Sequence, residues 1–218
     1  YGIFSSSGES CIAGSRAFVH ASVYEEFRAR LLAGVRALRV GDPASESTQM
    51  GPLVNMGHRA SVERYVQLGR DEGGKILFGG ERPQGANFDK GSYYLPTVIE
   101  GLPNSARMCQ EEIFGPVLAL LPWTDEADLL AQCNDNVYGL AAGIWTRDYK
   151  TVWRLGSALQ TGTVWVNTYK QFSVSTPFGG VKMSGTGREK GRLGILEYTS
   201  QKSYYWGMND APIAWSKA

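Results

Sequence analysis

Apolar positions along the chain fall into two rhythms. Phe27, Leu31, Val35 and Leu38 recur at helical spacing, and Ser22 with Glu25 three residues later predicts a capping box at the start of that helix. Gly41-Asp42-Pro43 is expected to end it. Val62, Tyr65, Val66 and Leu68 mark a second helix over 59–72, stopped by Gly73-Gly74. Short apolar or alternating runs predict strands over 16–20, 75–78, 117–121, 140–145 and 163–167. The run Val117-Leu118-Ala119-Leu120-Leu121 has no polar member and reads as a strand buried on both faces. Pro96 interrupts the extended piece Tyr93 to Ile99, which predicts a sheet edge. Asn104 and Ser105 are expected caps of a short helix through Gln110, and further helices open at Thr124 and Lys150.

Strands and helices alternate, so the expected class is α/β, with a mainly parallel sheet sandwiched by helices. No repeat or low-complexity linker divides the chain, and residues 1–218 are expected to form one domain. After Asn167 the texture changes to a Ser-, Thr- and Gly-rich loop punctuated by Tyr169, Phe172 and Phe178. An irregular segment of that length is usually functional. The glycines that follow imitate a phosphate loop from Gly180 to Gly185, but Thr186 stands where the lysine should be. They are better explained as loop-bending positions. The tail Gln201 to Trp206 ends in Tyr204-Tyr205-Trp206 and predicts a strand too apolar to stay in water.

Composition removes several classes. The formal net charge is +1, with no basic run, so neither nucleic acid nor an anionic membrane is an expected partner. No apolar stretch is long enough to cross a bilayer. Cys11, Cys109 and Cys133 match neither a disulfide framework nor a metal site, which fits a reducing, cytoplasmic setting.

Cys11 is the candidate for chemistry. Gly8-Glu9-Ser10-Cys11-Ile12-Ala13-Gly14-Ser15-Arg16 surrounds a thiol with small residues, which leave room for a carbon electrophile and for backbone N–H groups to face an oxyanion. The bland alternative is a small buried hydrophobe. This segment resembles the nucleophile segment of the aldehyde dehydrogenase superfamily. Three further segments resemble the same family in the same order: Glu111 to Val117, Gly162 to Asn167, and Pro177 to Gly185. The resemblance implies an oxidoreductase that converts an aldehyde and NAD or NADP to a carboxylic acid through a thiohemiacetal and thioester on Cys11.

It further implies that Glu112 holds the nicotinamide ribose, Phe114 backs the ring, and Phe172 and Phe178 line the aldehyde channel. Glu9 departs from the family's usual glutamine and is expected to point away from the thiol. In the family, the cofactor-binding domain, the water-activating glutamate and an oxyanion-site asparagine precede the nucleophile. Only ten residues do so here, so the chain is expected to be a carboxy-terminal catalytic portion, inactive alone. The family also implies a homodimer or homotetramer, with 201–206 as the oligomerisation strand. Two rival classes stand beside this reading: a cysteine-dependent acyltransferase or hydrolase pairing Cys11 with His20 or His58, and a non-catalytic assembly module.

Overall fold

A computed structural model describes residues 1–208 together with Asp210 and Trp215. In chain order the elements are β1 (Arg16–His20), α1 (Tyr24–Arg36), α2 (Met56–Asp71), β2 (Lys75–Phe78), β3 (Thr97–Glu100), α3 (Arg107–Gln110), β4 (Val117–Trp123), α4 (Glu126–Asn134), β5 (Tyr138–Gly139), β6 (Ala141–Ile144), α5 (Tyr149–Ala158), β7 (Thr163–Val166), β8 (Val181–Lys182) and α6 (Gly191–Leu196). The main sheet has the order β1-β4-β3-β2, parallel except for the β2–β3 pair. Strands β6 and β7 form a parallel pair joined through α5, and β5 pairs with β8 antiparallel.

Alternation along the central strands explains the sandwich. Ile99, Val117, Ala119 and Leu121 face a cluster with Val62 and Val66 of α2 and Met108 of α3. Val98 and Leu118 face the opposite way, onto Val35 and Leu31 of α1 with Ile3 and Phe4. Successive side chains of a strand point to opposite faces, so a strand covered on both must be apolar at every position. That is the run seen from Val117 to Leu121, all of it buried. The α/β class and the helix-covered, mainly parallel sheet are as the sequence predicts.

Local details differ. β3 lies inside the sheet, not at its edge, and Thr97, Val98 and Ile99 are fully buried. Pro96 precedes the first paired residue and therefore costs the ladder no donor. Ser22 does not cap α1. Its N–H is taken by His20 Nδ1 across a short 3₁₀ turn, Ala21–Val23. Phe27 stays half in solvent, so the inward stripe of α1 is shorter than its periodicity. α3 begins only at Arg107. Asn104 is used elsewhere: buried, its amide oxygen accepts from Arg16 and its amide nitrogen donates to Asp135. The predicted strand at 201–206 is absent; this stretch is irregular and exposed, and no strand among the described residues offers it a ladder.

Candidate active site

The Cys11 segment enters β1 through a cramped reversal. Ser6 and Ser7 both have φ 54° and Gly8 has φ 76°, three successive left-handed residues. Such backbone is unfavourable for L-residues and persists only where neighbours hold it. Here Ser7 Oγ donates to the Gly51 carbonyl at 3.0 Å, and the Glu9 N–H donates to the Ser6 carbonyl at 2.9 Å. A tight turn follows, closed by the Ala13 N–H on the Ser10 carbonyl at 2.8 Å, with Cys11 at its second position. The thiol is exposed. The Cys11 N–H donates to no backbone carbonyl among the described residues.

The other two thiols are unlike it. Cys109 is buried, and burial pushes it up to about 11. Cys133 is partly covered and also raised by burial. Arg16, which closes the segment, is a structural residue. Its guanidinium donates to Asn104 Oδ1 at 2.5 Å and to the Gln132 and Cys133 carbonyls at 3.1 and 3.2 Å. These are carbonyls of the last turn of α4, where a cation suits the helix dipole. Burial lowers its pKa, partly offset by the nearby Cys133, Cys109 and Asp135.

Gly8 packs directly on the turn that precedes β4. A Cβ at Gly8 would lie 2.2 Å from the Gly115 carbonyl carbon and oxygen, so only glycine fits. The Cys11 segment and the acidic-aromatic turn, 107 positions apart at Gly8 and Gly115, are thus in backbone contact. Glu112 and Phe114 are both exposed on this turn. Phe114 has φ 56°, a strained value for an aromatic residue. His58 holds it there: its Nε2 lies 2.7 Å from the Phe114 carbonyl, which can only accept, so that nitrogen carries the proton. Glu9 lies 3.6 Å from the same nitrogen, and its carboxylate accepts the Val54 N–H at 3.0 Å. Glu9 is accordingly anchored by Val54 and His58. An exposed carboxylate and an exposed ring beside the thiol loop offer a hydroxyl acceptor and an apolar face.

The loop after β7 covers the other flank. Tyr169 lies against Gly2, Gly14 and Gly143, where added Cβ atoms would meet its ring or hydroxyl, and burial pushes it up to about 12. Lys170, at φ 58°, donates through Nζ to Ser5 Oγ at 2.8 Å. Trp165 Nε1 donates to the Gln171 carbonyl at 2.7 Å. Phe172 meets Trp165 edge-on at 5.6 Å and Phe178 edge-on at 5.2 Å. The two phenylalanines singled out in the sequence are therefore neighbours in one aromatic cluster.

All three segments meet at the amino ends of β1 and β4. His20 lies at the other end of β1, hydrogen-bonded to Ser22 and edge-on to Trp123. The four strand residues Arg16 to Val19 separate it from the thiol loop, roughly 13 Å of chain. It cannot act as a base for Cys11. Periodicity gave no sign of the roles of His58, Tyr169 or Lys170, because their partners are distant in sequence. The glycines at 2, 8 and 14, which face backbone or Tyr169, were the available signal. Among the described residues no three His, Cys, Asp or Glu side chains gather as metal ligands, and no helix is long and apolar enough to cross a membrane.

Residues 1–204 match the sequence profile of the Aldehyde dehydrogenase family. The chain is 37% identical to a betaine aldehyde dehydrogenase of Bacillus subtilis over 98% of its own length, and 43% identical to one of Cereibacter sphaeroides over 97%. It spans only 44% and 43% of those proteins. It also superposes on the NAD+ complex of an aldehyde dehydrogenase from Bacillus cereus, with TM-score 0.90, 37% identity, and coverage of 95% of this chain and 42% of that one. The matched residues 1–204 include the thiol loop, the acidic-aromatic turn and the loop after β7, and the chain belongs to the aldehyde dehydrogenase family.

Proposed function

We propose that the chain supplies the thiol-bearing part of an NAD(P)-dependent aldehyde dehydrogenase, which oxidises an aldehyde to a carboxylic acid. The observation that carries this reading is the backbone contact of Gly8 with Gly115, which sets the one exposed thiol of the three beside the exposed Glu112 and Phe114. In this reading the Cys11 sulfur bonds to the carbonyl carbon and gives a thiohemiacetal. The Cys11 N–H, which meets no backbone acceptor among the described residues, donates to the oxygen that gains charge. Glu112 accepts from the hydroxyls of the nicotinamide ribose, and Phe114 lies against the ring. When bound, the cofactor supplies the hydride acceptor that converts a thiohemiacetal to a thioester. Phe172 and Phe178 form the apolar wall for the aldehyde.

The base that activates water for thioester release is assigned to the part of the relatives' length that this chain does not span. His58 is engaged by the Phe114 carbonyl and Glu9 by the Val54 N–H, so neither is free for it. Turnover is accordingly expected only from the full-length protein. Assembly as a homodimer or homotetramer would cover the tail, where Tyr204 and Tyr205 are 80% and 97% exposed. A reducing, cytoplasmic setting would keep Cys11 a thiol.

Full-length protein with Cys11→Ala is expected to lose NAD(P)H formation by at least about a thousandfold. Rapid acid quench of the unaltered protein is expected to trap the acyl group on the Cys11 peptide. Retained turnover in Cys11→Ala, or an acyl group trapped on another residue, would overturn the reading.

A further inference from the structure

We infer that Lys170 is a specificity-determining residue: its ammonium sits beside the aldehyde held on Cys11 and selects aldehydes that carry a second, anionic group. This rests on the proposed aldehyde oxidation and names its substrate class. Three observations place the charge. Lys170 Nζ donates to Ser5 Oγ on the reversal that leads into the thiol loop. The preceding residue, Tyr169, packs against Gly14 just beyond Cys11, so the loop is pinned on both sides of the nucleophile. Lys170 itself takes the left-handed φ of 58°, a conformation seldom adopted by a long side chain without a holding contact.

This ammonium has no carboxylate partner among the described residues: it forms no ion pair, and its contacts are the Ser5 hydroxyl and the Tyr1 ring, whose centroid lies 5.8 Å away. Partial burial lowers its pKa for want of such a partner. The surrounding sequence has the same bias. From Tyr149 to Arg188 there is no Asp or Glu, while Lys150, Arg154, Lys170, Lys182 and Arg188 are all basic. Two residues beyond Lys170, the face of Phe172 is already covered by the Lys190 ammonium at 4.0 Å from the ring centroid. A quaternary ammonium group needs open aromatic faces and no competing cation. A partly desolvated, unpaired ammonium favours a carboxylate, to which it can make a charge-assisted hydrogen bond.

The test uses full-length protein and the ratio of kcat/KM for succinic and adipic semialdehydes to that for butanal and hexanal. A ratio is insensitive to the fraction of a variant that folds. Lys170→Met is expected to lower it by about thirtyfold, as for loss of one charged hydrogen bond, and Lys170→Arg to restore most of it. Betaine aldehyde is expected to be the poorest substrate of the unaltered protein and to improve relative to butanal in Lys170→Met. An unchanged ratio in Lys170→Met, with both aldehyde types falling together, would mean that the lysine acts on the thiol or the fold and would overturn this inference alone. Unaltered protein that oxidises neither type would remove the activity reading and this inference with it.

Discussion

The contact between the thiol loop and the acidic-aromatic turn can be broken at one atom. In Gly8→Ala the new Cβ would stand 2.2 Å from the Gly115 carbonyl and 2.6 Å from the Pro116 nitrogen, against an ordinary contact of 3.4 Å or more. Both obstacles are backbone. Gly115 cannot retreat, because a Cβ on it would already be 2.6 Å from Val62 of α2. The two segments must therefore separate by roughly 1 Å, at the expense of a well-packed core. Forcing alanine to φ 76° costs about 1 kcal/mol. Overpacking against fixed atoms adds about 1–3 kcal/mol, so the expected destabilisation is about 2–4 kcal/mol. A misplacement of that size between reacting groups is expected to lower kcat/KM about a hundredfold.

Gly73→Ala supplies the control. Gly73 also has positive φ, 93°, but nothing lies within 4 Å of its added Cβ, so only the conformational part, about 1 kcal/mol, is expected. Urea denaturation and steady-state kinetics of full-length variants separate the two effects. The reasoning is refuted if Gly8→Ala is no more destabilised than Gly73→Ala and keeps kcat/KM within about threefold of the unaltered protein.

Three further outcomes follow from the geometry. Iodoacetamide at pH 8 is expected to label Cys11 first in the native protein. Cys109, raised to about 11 and buried, is expected to react at least about a hundredfold more slowly until unfolding, as peptide mass spectrometry would read. Arg16→Met strands the Asn104 oxygen and two carbonyls of α4 and is expected to cost about 3 kcal/mol in urea denaturation. Lysine at that position is not expected to rescue it, since one ammonium cannot reproduce the guanidinium fork. Burial raises Tyr94 from the ordinary phenol value of 10 to about 12, so its contribution is intact below pH 10 and is lost as pH rises towards 12. Two pH units correspond to about 3 kcal/mol. In alkaline denaturation Tyr94→Phe is expected to remove that share, and Tyr169, raised in the same way, to keep its own.

The chain by itself determined the class of fold and marked Cys11 as the candidate thiol. Alternating strands and helices specify a covered sheet, and small residues around a cysteine leave it room; the nucleophile role proposed for it rests on the family resemblance. Its pattern also marked the aromatic positions Phe114, Phe172 and Phe178. Tertiary structure decided what those positions touch. Pro96 reads as an edge signal, yet β3 is central, because the proline lies one residue outside the ladder. Asn104 reads as a helix cap, yet it answers Arg16 from 88 positions away. His58 carries no local pattern, and its role exists only because Phe114 and Glu9 converge on one nitrogen. The tail reads as a strand, but an apolar run becomes one only where another strand offers it hydrogen bonds. Periodicity records which face of an element is buried; it does not record which element lies across from it, and at this site the partners lie up to 165 positions apart.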